Sequence, residues 1–285
     1  MMRKPGPAQL GVLVACALTV VLLSFVNTVP KAKAQTETHV EHSGVDLNAL
    51  IEEEKSLLTP DQAGVVASLE NAIRNESDVV RRGVMYDSLV KVLGAYSRYV
   101  FAAYYAEEKA KANNGSGNDW MAAGERYRSA CSFQKDEAHL PPLYESSIRC
   151  FNKALQLEPN NLDAKVGLGI AIVDGTADPM KGITILREVE SADSNHINMQ
   201  LALADFAVRS KQYDKAIARF EHVLRIKPEY YAIHLSLAEL FEAQNNTPKV
   251  IYHLEAYAAV TDDPVMKAEI EKVLENLKAQ NSGVK

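Results

Sequence analysis

Residues 151–160 read FNKALQLEPN and residues 220–229 read FEHVLRIKPE. Phe151 and Phe220, Leu155 and Leu224, and Pro159 and Pro228 fall in register, 69 residues apart. Three further stretches lie around them: LDAKVGLGIAIV (162–173), INMQLALADFAV (197–208) and YAIHLSLAELFE (231–242). In each, a Leu precedes a small residue, giving Leu168–Gly169, Leu203–Ala204 and Leu237–Ala238 at steps of 35 and 34. The longer spacing is therefore two copies of one shorter unit. A period in the mid-thirties, with apolar residues at helical spacing, specifies a pair of short amphipathic helices repeated along the chain.

The pattern is one of packing. A large residue, a Leu, a small residue and an aromatic on the first helix let the second approach closely. A small residue followed by an aromatic on the second helix fills the same seam. Pro ends the pair, because it lacks an N–H and clashes with the preceding turn. One pair cannot bury its own apolar face, so pairs stack. The stretch WMAAGERY (120–127), which holds the only Trp of the chain, belongs to this series. Its partner helix, LYESSIRCFNKALQLEP, carries Ser147, Phe151, Ala154, Leu155 and Pro159. That helix arrives about eleven residues late for the period. The excess lies around CSFQKDEAHLPP (131–142), an extension of the turn between the two helices.

Trp120, Ala123, Gly124 and Tyr127 occupy the slots of the tetratricopeptide signature W-x2-L-G-x2-Y, with Ala in place of Leu. The chain from about 83 to 264 resembles a tetratricopeptide-repeat protein. Its whole plan resembles membrane-anchored or exported tetratricopeptide proteins of Bacteroidota-like bacteria. The fold expected is all-α, a right-handed α–α superhelix preceded by an N-terminal signal or anchor helix. The expected segments are N-terminal helices at 45–82 and a degenerate pair at 83–116. A repeat with an inserted turn near 131–142 follows at 117–161, then repeats at 162–196, 197–230 and 231–264. A C-terminal capping helix and tail fill 265–285. The degenerate pair is read from Tyr86, Leu89, Val90 and Leu93 facing Ala102, Ala106 and Ala110. The inter-helix seam is assigned to Trp120, Gly124, Tyr127, Phe151, Pro159, Leu168, Gly169, Leu203, Ala204, Phe220, Pro228, Leu237 and Ala238.

The resemblance implies binding rather than catalysis, through a concave groove lined by the first helix of each pair. Carrying the family's groove slots onto this chain gives Met121, Glu125 and Arg128, then Asp163, Val166 and Ile170. Asn198, Leu201, Asp205 and Arg209 follow, then Leu235, Glu239 and Glu242. The lining is apolar in the centre and acidic towards the C-terminal end. Members that hold a C-terminal carboxylate place Lys and Asn where this chain has Met121, Glu125, Val166 and Ile170, so a carboxylate clamp is not expected. A peptide or protein partner of apolar and basic character fits better. Self-assembly into a homo-oligomer is the alternative, as is an assembly factor for exported proteins or cytochrome maturation.

Upstream, Arg3 and Lys4 precede a run of 20 uncharged residues, 10–29, long enough to cross a bilayer. Ala32 and Ala34 then supply the spacing of a signal-peptidase site. A retained anchor and a cleaved signal both remain open. The expectation is an inner-membrane protein, single-pass, with its body in the periplasm. The alternative is a soluble periplasmic or secreted chain cleaved after Ala34. LVAC (13–16) has the form of a bacterial lipobox, but the apolar run continues past Cys16. Residues 35–44 are polar and are expected to form a flexible tether.

Composition narrows the function further. Net charge is −6, with no clustered basic face, so no nucleic-acid partner is expected. There is no CxxC, HExxH, phosphate-binding Gly loop or nucleophile elbow. Neither catalysis nor a metal or cofactor is expected. Cys131 and Cys150 flank the inserted turn, where a disulfide would close it; two buried thiols are the alternative.

Overall fold

The computed structural model describes residues 46–112 and 114–282. Among these residues it holds thirteen α-helices and no strand. The first four are α1 (Leu47–Ser56), α2 (Pro60–Asn75), α3 (Val79–Ala95) and α4 (Tyr99–Ala112). Then come α5 (Gly117–Cys131), a short 3-10 turn (Glu137–His139), α6 (Leu140–Leu157), α7 (Leu162–Gly175) and α8 (Pro179–Ala192). The last five are α9 (Ile197–Arg209), α10 (Tyr213–Ile226), α11 (Ile233–Ala243), α12 (Thr247–Ala258) and α13 (Pro264–Ser282). Contacts divide them into two compact units, α1–α8 and α9–α13.

Local chemistry sets the helix starts. Thr59 and Gln62, in the stretch TPDQ (59–62), form a reciprocal capping box. Ser116 and Asp119 form a second one at the start of α5. Helix α3 is capped by Asp78, whose carboxylate accepts from the Arg81 amide at 2.8 Å. Both α6 and α10 end two residues before a Pro, with Glu158 and Lys227 as caps. The residue preceding Pro is barred from helical geometry, which fixes these ends.

The turns inside three hairpins repeat one backbone solution. Ser97, Lys211 and Asn245 each take positive φ, at 58°, 60° and 57°. In each, the next amide donates to a carbonyl five residues back: Arg98 to Leu93, Gln212 to Ala207 and Asn246 to Phe241. This satisfies helix-end carbonyls that would otherwise be orphaned. The α9–α10 and α11–α12 turns sit one repeat apart, so the period is written in the backbone as well as in the side chains.

Packing in the first unit is centred on α3–α6. Phe101, Leu89, Leu93, Tyr127 and Leu143 are all fully buried there. The segment RYVFAAYYAEE (98–108) lies in this core: Val100, Phe101, Ala102 and Ala103 are buried and Tyr105 packs on Phe101. Helix α1 is tied on by Glu54, whose carboxylate accepts from the Val100 and Phe101 amides at 3.2 and 2.7 Å. The C-terminal unit has its own core, running from Ala204 through Phe220, Leu237 and Leu254 to Ile270 and Leu274 of α13. The capping helix is thus part of that core, although its first apolar residue, Val265, is exposed.

One expectation is corrected. No helix among the described residues is long and apolar enough to cross a membrane. This overturns the reading of a single-pass inner-membrane protein. The run 10–29 that motivated it lies outside the described residues, as do Cys16, the Ala34 cleavage point and the 35–44 tether.

Candidate functional site

The seam residues set the spacing of the helices that carry the candidate surface. Tyr127, Phe151, Ala204, Leu237 and Ala238 are fully buried, and Leu168, Leu203 and Phe220 nearly so. Gly124 lets α6 approach α5: a Cβ there would sit 3.1 Å from the Phe151 ring, and Ser147 donates to the Gly124 carbonyl at 2.8 Å. Gly169 does the same for α8, with Leu186 against it. Trp120 is only partly buried and packs on the rim of the first core. Pro159 and Pro228 are exposed and act on the chain direction, not on the seam.

The turn inserted between α5 and α6 is ordered. Asp136 caps the 3-10 turn through the Ala138 amide at 2.9 Å, and Phe133 stacks on Tyr99 with centroids 3.8 Å apart. Helix α6 begins at Leu140, before the position its pattern suggests, with two prolines in its first turn. Cys131 and Cys150 are free and buried in this structure. Cys131 Sγ instead donates to the Tyr127 carbonyl at 3.4 Å within its own helix. Burial pushes both thiols up to about 12.

A buried ion cluster joins three helices of the first unit. Glu107 on α4 is 2 % exposed. It accepts from the Tyr127 hydroxyl at 2.8 Å and from the Arg149 guanidinium at 3.0 Å, and pairs with Lys111 at 3.1 Å. Burial opposes its charge, yet these three partners hold the carboxyl below its ordinary value.

The model of the tetratricopeptide repeat family matches residues 207–268. The fold is similar to that of a tetratricopeptide repeat protein from Parabacteroides merdae, with a TM-score of 0.52 at 12 % identity over 83 % of this chain and 87 % of that one. Residues 207–268 thus carry the tetratricopeptide repeat, and the fold is that of a tetratricopeptide-repeat protein.

Other solved structures resemble it less. MamA from Desulfovibrio magneticus, residues 41 to the end, gives a TM-score of 0.45 at 16 % identity over 64 % of this chain and 97 % of that one. YrrB, a tetratricopeptide-repeat protein with an unusual peptide-binding site, gives 0.41 at 16 % identity over 72 % and 97 %. No curated protein matches the chain.

The residues at the family's groove slots fall into three groups. Val166 and Leu235 are 3 % and 4 % exposed, so both are core and neither is open to a partner. Met121 and Leu201 are partly buried against the cores of their own units. The rest reach the surface. Glu125 and Arg128 pair with each other at 2.6 Å, and Arg209 pairs with Asp205 at 3.6 Å while lying over the Phe206 ring. Asp163 and Asn198 are exposed, and Ile170 is half-buried.

Glu239 and Glu242, one turn apart on α11, differ from these tetratricopeptide surface pairs. Both are half-buried, and no cation pairs with either among the described residues. Burial, followed by the charge of Glu242, pushes Glu239 up to about 7, and burial raises Glu242.

Sequence reading missed two features of the repeats. The Glu107 cluster joins residues 20 and 42 positions apart, and nothing in a linear pattern marks such partners. The second is a histidine pair in the α11–α12 hairpin, His234 and His253, each of which reads as an ordinary helix residue.

Proposed function

We propose that the protein is a non-catalytic interaction scaffold that holds a peptide or protein partner on the first helices of its repeats. Its units are read as 83–116, 117–161, 162–196, 197–230 and 231–264, with 45–82 leading and 265–285 closing. The repeat matched at 207–268 and the tetratricopeptide-like fold support this class, since proteins of that family bind proteins or peptides on that face.

The partner's chemistry rests on one observation, the unpaired carboxylates of Glu239 and Glu242. Two half-buried acids with no cation between them are destabilised in their charged forms. A Lys or Arg from a partner relieves that penalty, and the half-buried setting of both carboxylates favours apolar neighbours on the same peptide. The surface carboxylates elsewhere already have intramolecular partners at Glu125 and Asp205.

Selection of displayed peptides against residues 46–282 tests this reading. Enriched peptides should carry Lys or Arg among apolar residues and should lose binding to the Glu239→Gln/Glu242→Gln chain. Enrichment of acidic peptides, or equal binding by the double variant, would overturn it.

A second reading, self-association, is favoured by Val80 and Val84, which are 76 % and 61 % exposed on one face of α3. Light scattering separates the two, because a strict monomer excludes it.

A further inference from the structure

The α11–α12 hairpin carries a feature that partner binding does not explain. His234 on α11 and His253 on α12 face each other with their Nδ1 atoms 2.9 Å apart. His253 is 4 % exposed and stacks on Phe241 with centroids 5.4 Å apart and ring planes 9° from parallel. Its Nε2 is buried and has no hydrogen-bond partner among the described residues. One hydrogen serves this contact: one ring donates and the other accepts. The pair also tolerates a single positive charge on the half-buried His234, whose imidazolium still donates to the bare His253 Nδ1. A second proton cannot be placed. It would set N–H against N–H and leave a charged ring with a buried, unpartnered Nε2–H.

The surroundings offer that charge nothing. The charges acting on His253 are His234 and Lys249, both of which disfavour its protonation. On the neighbouring helices, Asp214 of α10 accepts from Gln244 at 2.7 Å, and Lys278 of α13 pairs with Glu255 at 2.6 Å. We propose that His234 and His253 form an acid-sensitive latch, closed while the pair carries at most one positive charge and opened by the second, which parts α11 from α12.

Burial, then His234 and Lys249, push His253 down to about 4, while His234 is lowered by burial alone. A histidine in an unfolded chain titrates near 6.5. The latch therefore stabilises fully above that value and weakens as pH falls from about 6.5 towards 4.

Hydrogen exchange of the folded chain tests this, with protection factors corrected for intrinsic rate. Between pH 7 and pH 5, protection over 233–258 should fall at least tenfold more than over α3–α6. His253→Phe, which keeps the stack on Phe241, should remove that difference. His234→Glu supplies an acceptor for a protonated His253, and should keep the hairpin closed at pH 5 and move the His253 titration upward. A loss of protection that persists in both variants, or a His253 that titrates near 6.5 with no change in exchange, would overturn the proposal.

Discussion

Tyr127 donates its hydroxyl hydrogen to the Glu107 carboxylate at 2.8 Å, and both side chains are buried in the seam between α4 and α5. Arg149 of α6 closes on the same carboxylate, so three consecutive helices share one charge. Glu107→Ala leaves the Tyr127 hydroxyl without its acceptor and should destabilise the first unit by about 3 kcal/mol. Glu107→Gln keeps an acceptor and should lose less. Urea unfolding followed by fluorescence of the single Trp, which lies in the same unit, measures this. The carboxyl lies below its ordinary value of 4.5, so its contribution is present above that pH and is lost as pH falls further.

Gly167 and Gly124 both face the Phe151 ring, but not equally. A Cβ on Gly124 would meet three ring atoms at 3.1 Å, a contact that a small shift absorbs. A Cβ on Gly167 would run into Cε1 and Cζ of the same fully buried ring. Gly167→Ala should therefore cost about 2 kcal/mol, beyond what the gain in helix propensity offsets. Gly124→Ala should stay within about 1 kcal/mol. Equal effects in thermal melts would contradict this ordering.

The backbone turns make a prediction of opposite sign. Lys211 adopts a left-handed conformation that disfavours side chains with a Cβ, whereas Asn tolerates it. Lys211→Gly should stabilise by about 0.5 kcal/mol, and Asn245→Gly should change little. A lower midpoint for Lys211→Gly would show that its side chain contributes more than the strain it imposes.

These three cases also show what a linear reading reaches. The Leu–small pairs at 168, 203 and 237 and the aromatics at 151 and 220 announced the hairpins, because local periodicity and close packing act over one or two turns. The start of α6 at Leu140 was missed, since several nearby residues can satisfy the same helix end. Val166 and Leu235 were placed on the groove by family slot, yet both are buried, because a slot gives a direction on a helix and not what packs over it. Glu107 and the histidine pair depend on partners brought together only by stacking.

Cys131 and Cys150 are predicted to be inert in the folded chain. Each thiol is buried and pushed up to about 12, so little thiolate exists at neutral pH. Maleimide labelling without denaturant should leave both unmodified over hours, and labelling in urea without reductant should modify both. A mass two hydrogens lower, with no labelling in urea, would show a disulfide instead.

Glu239 and Glu242 carry the proposed partner chemistry, and one titration tests it most directly. The affinity of a selected basic peptide should be measured by calorimetry between pH 6 and pH 8, with the native chain and with Glu239→Gln/Glu242→Gln. The native chain should bind more tightly as pH rises through about 7, where Glu239 takes up its charge. The double variant should bind about tenfold more weakly at pH 8, with no such rise, equivalent to about 1.4 kcal/mol. An affinity that is flat with pH and unchanged in the double variant would contradict the account.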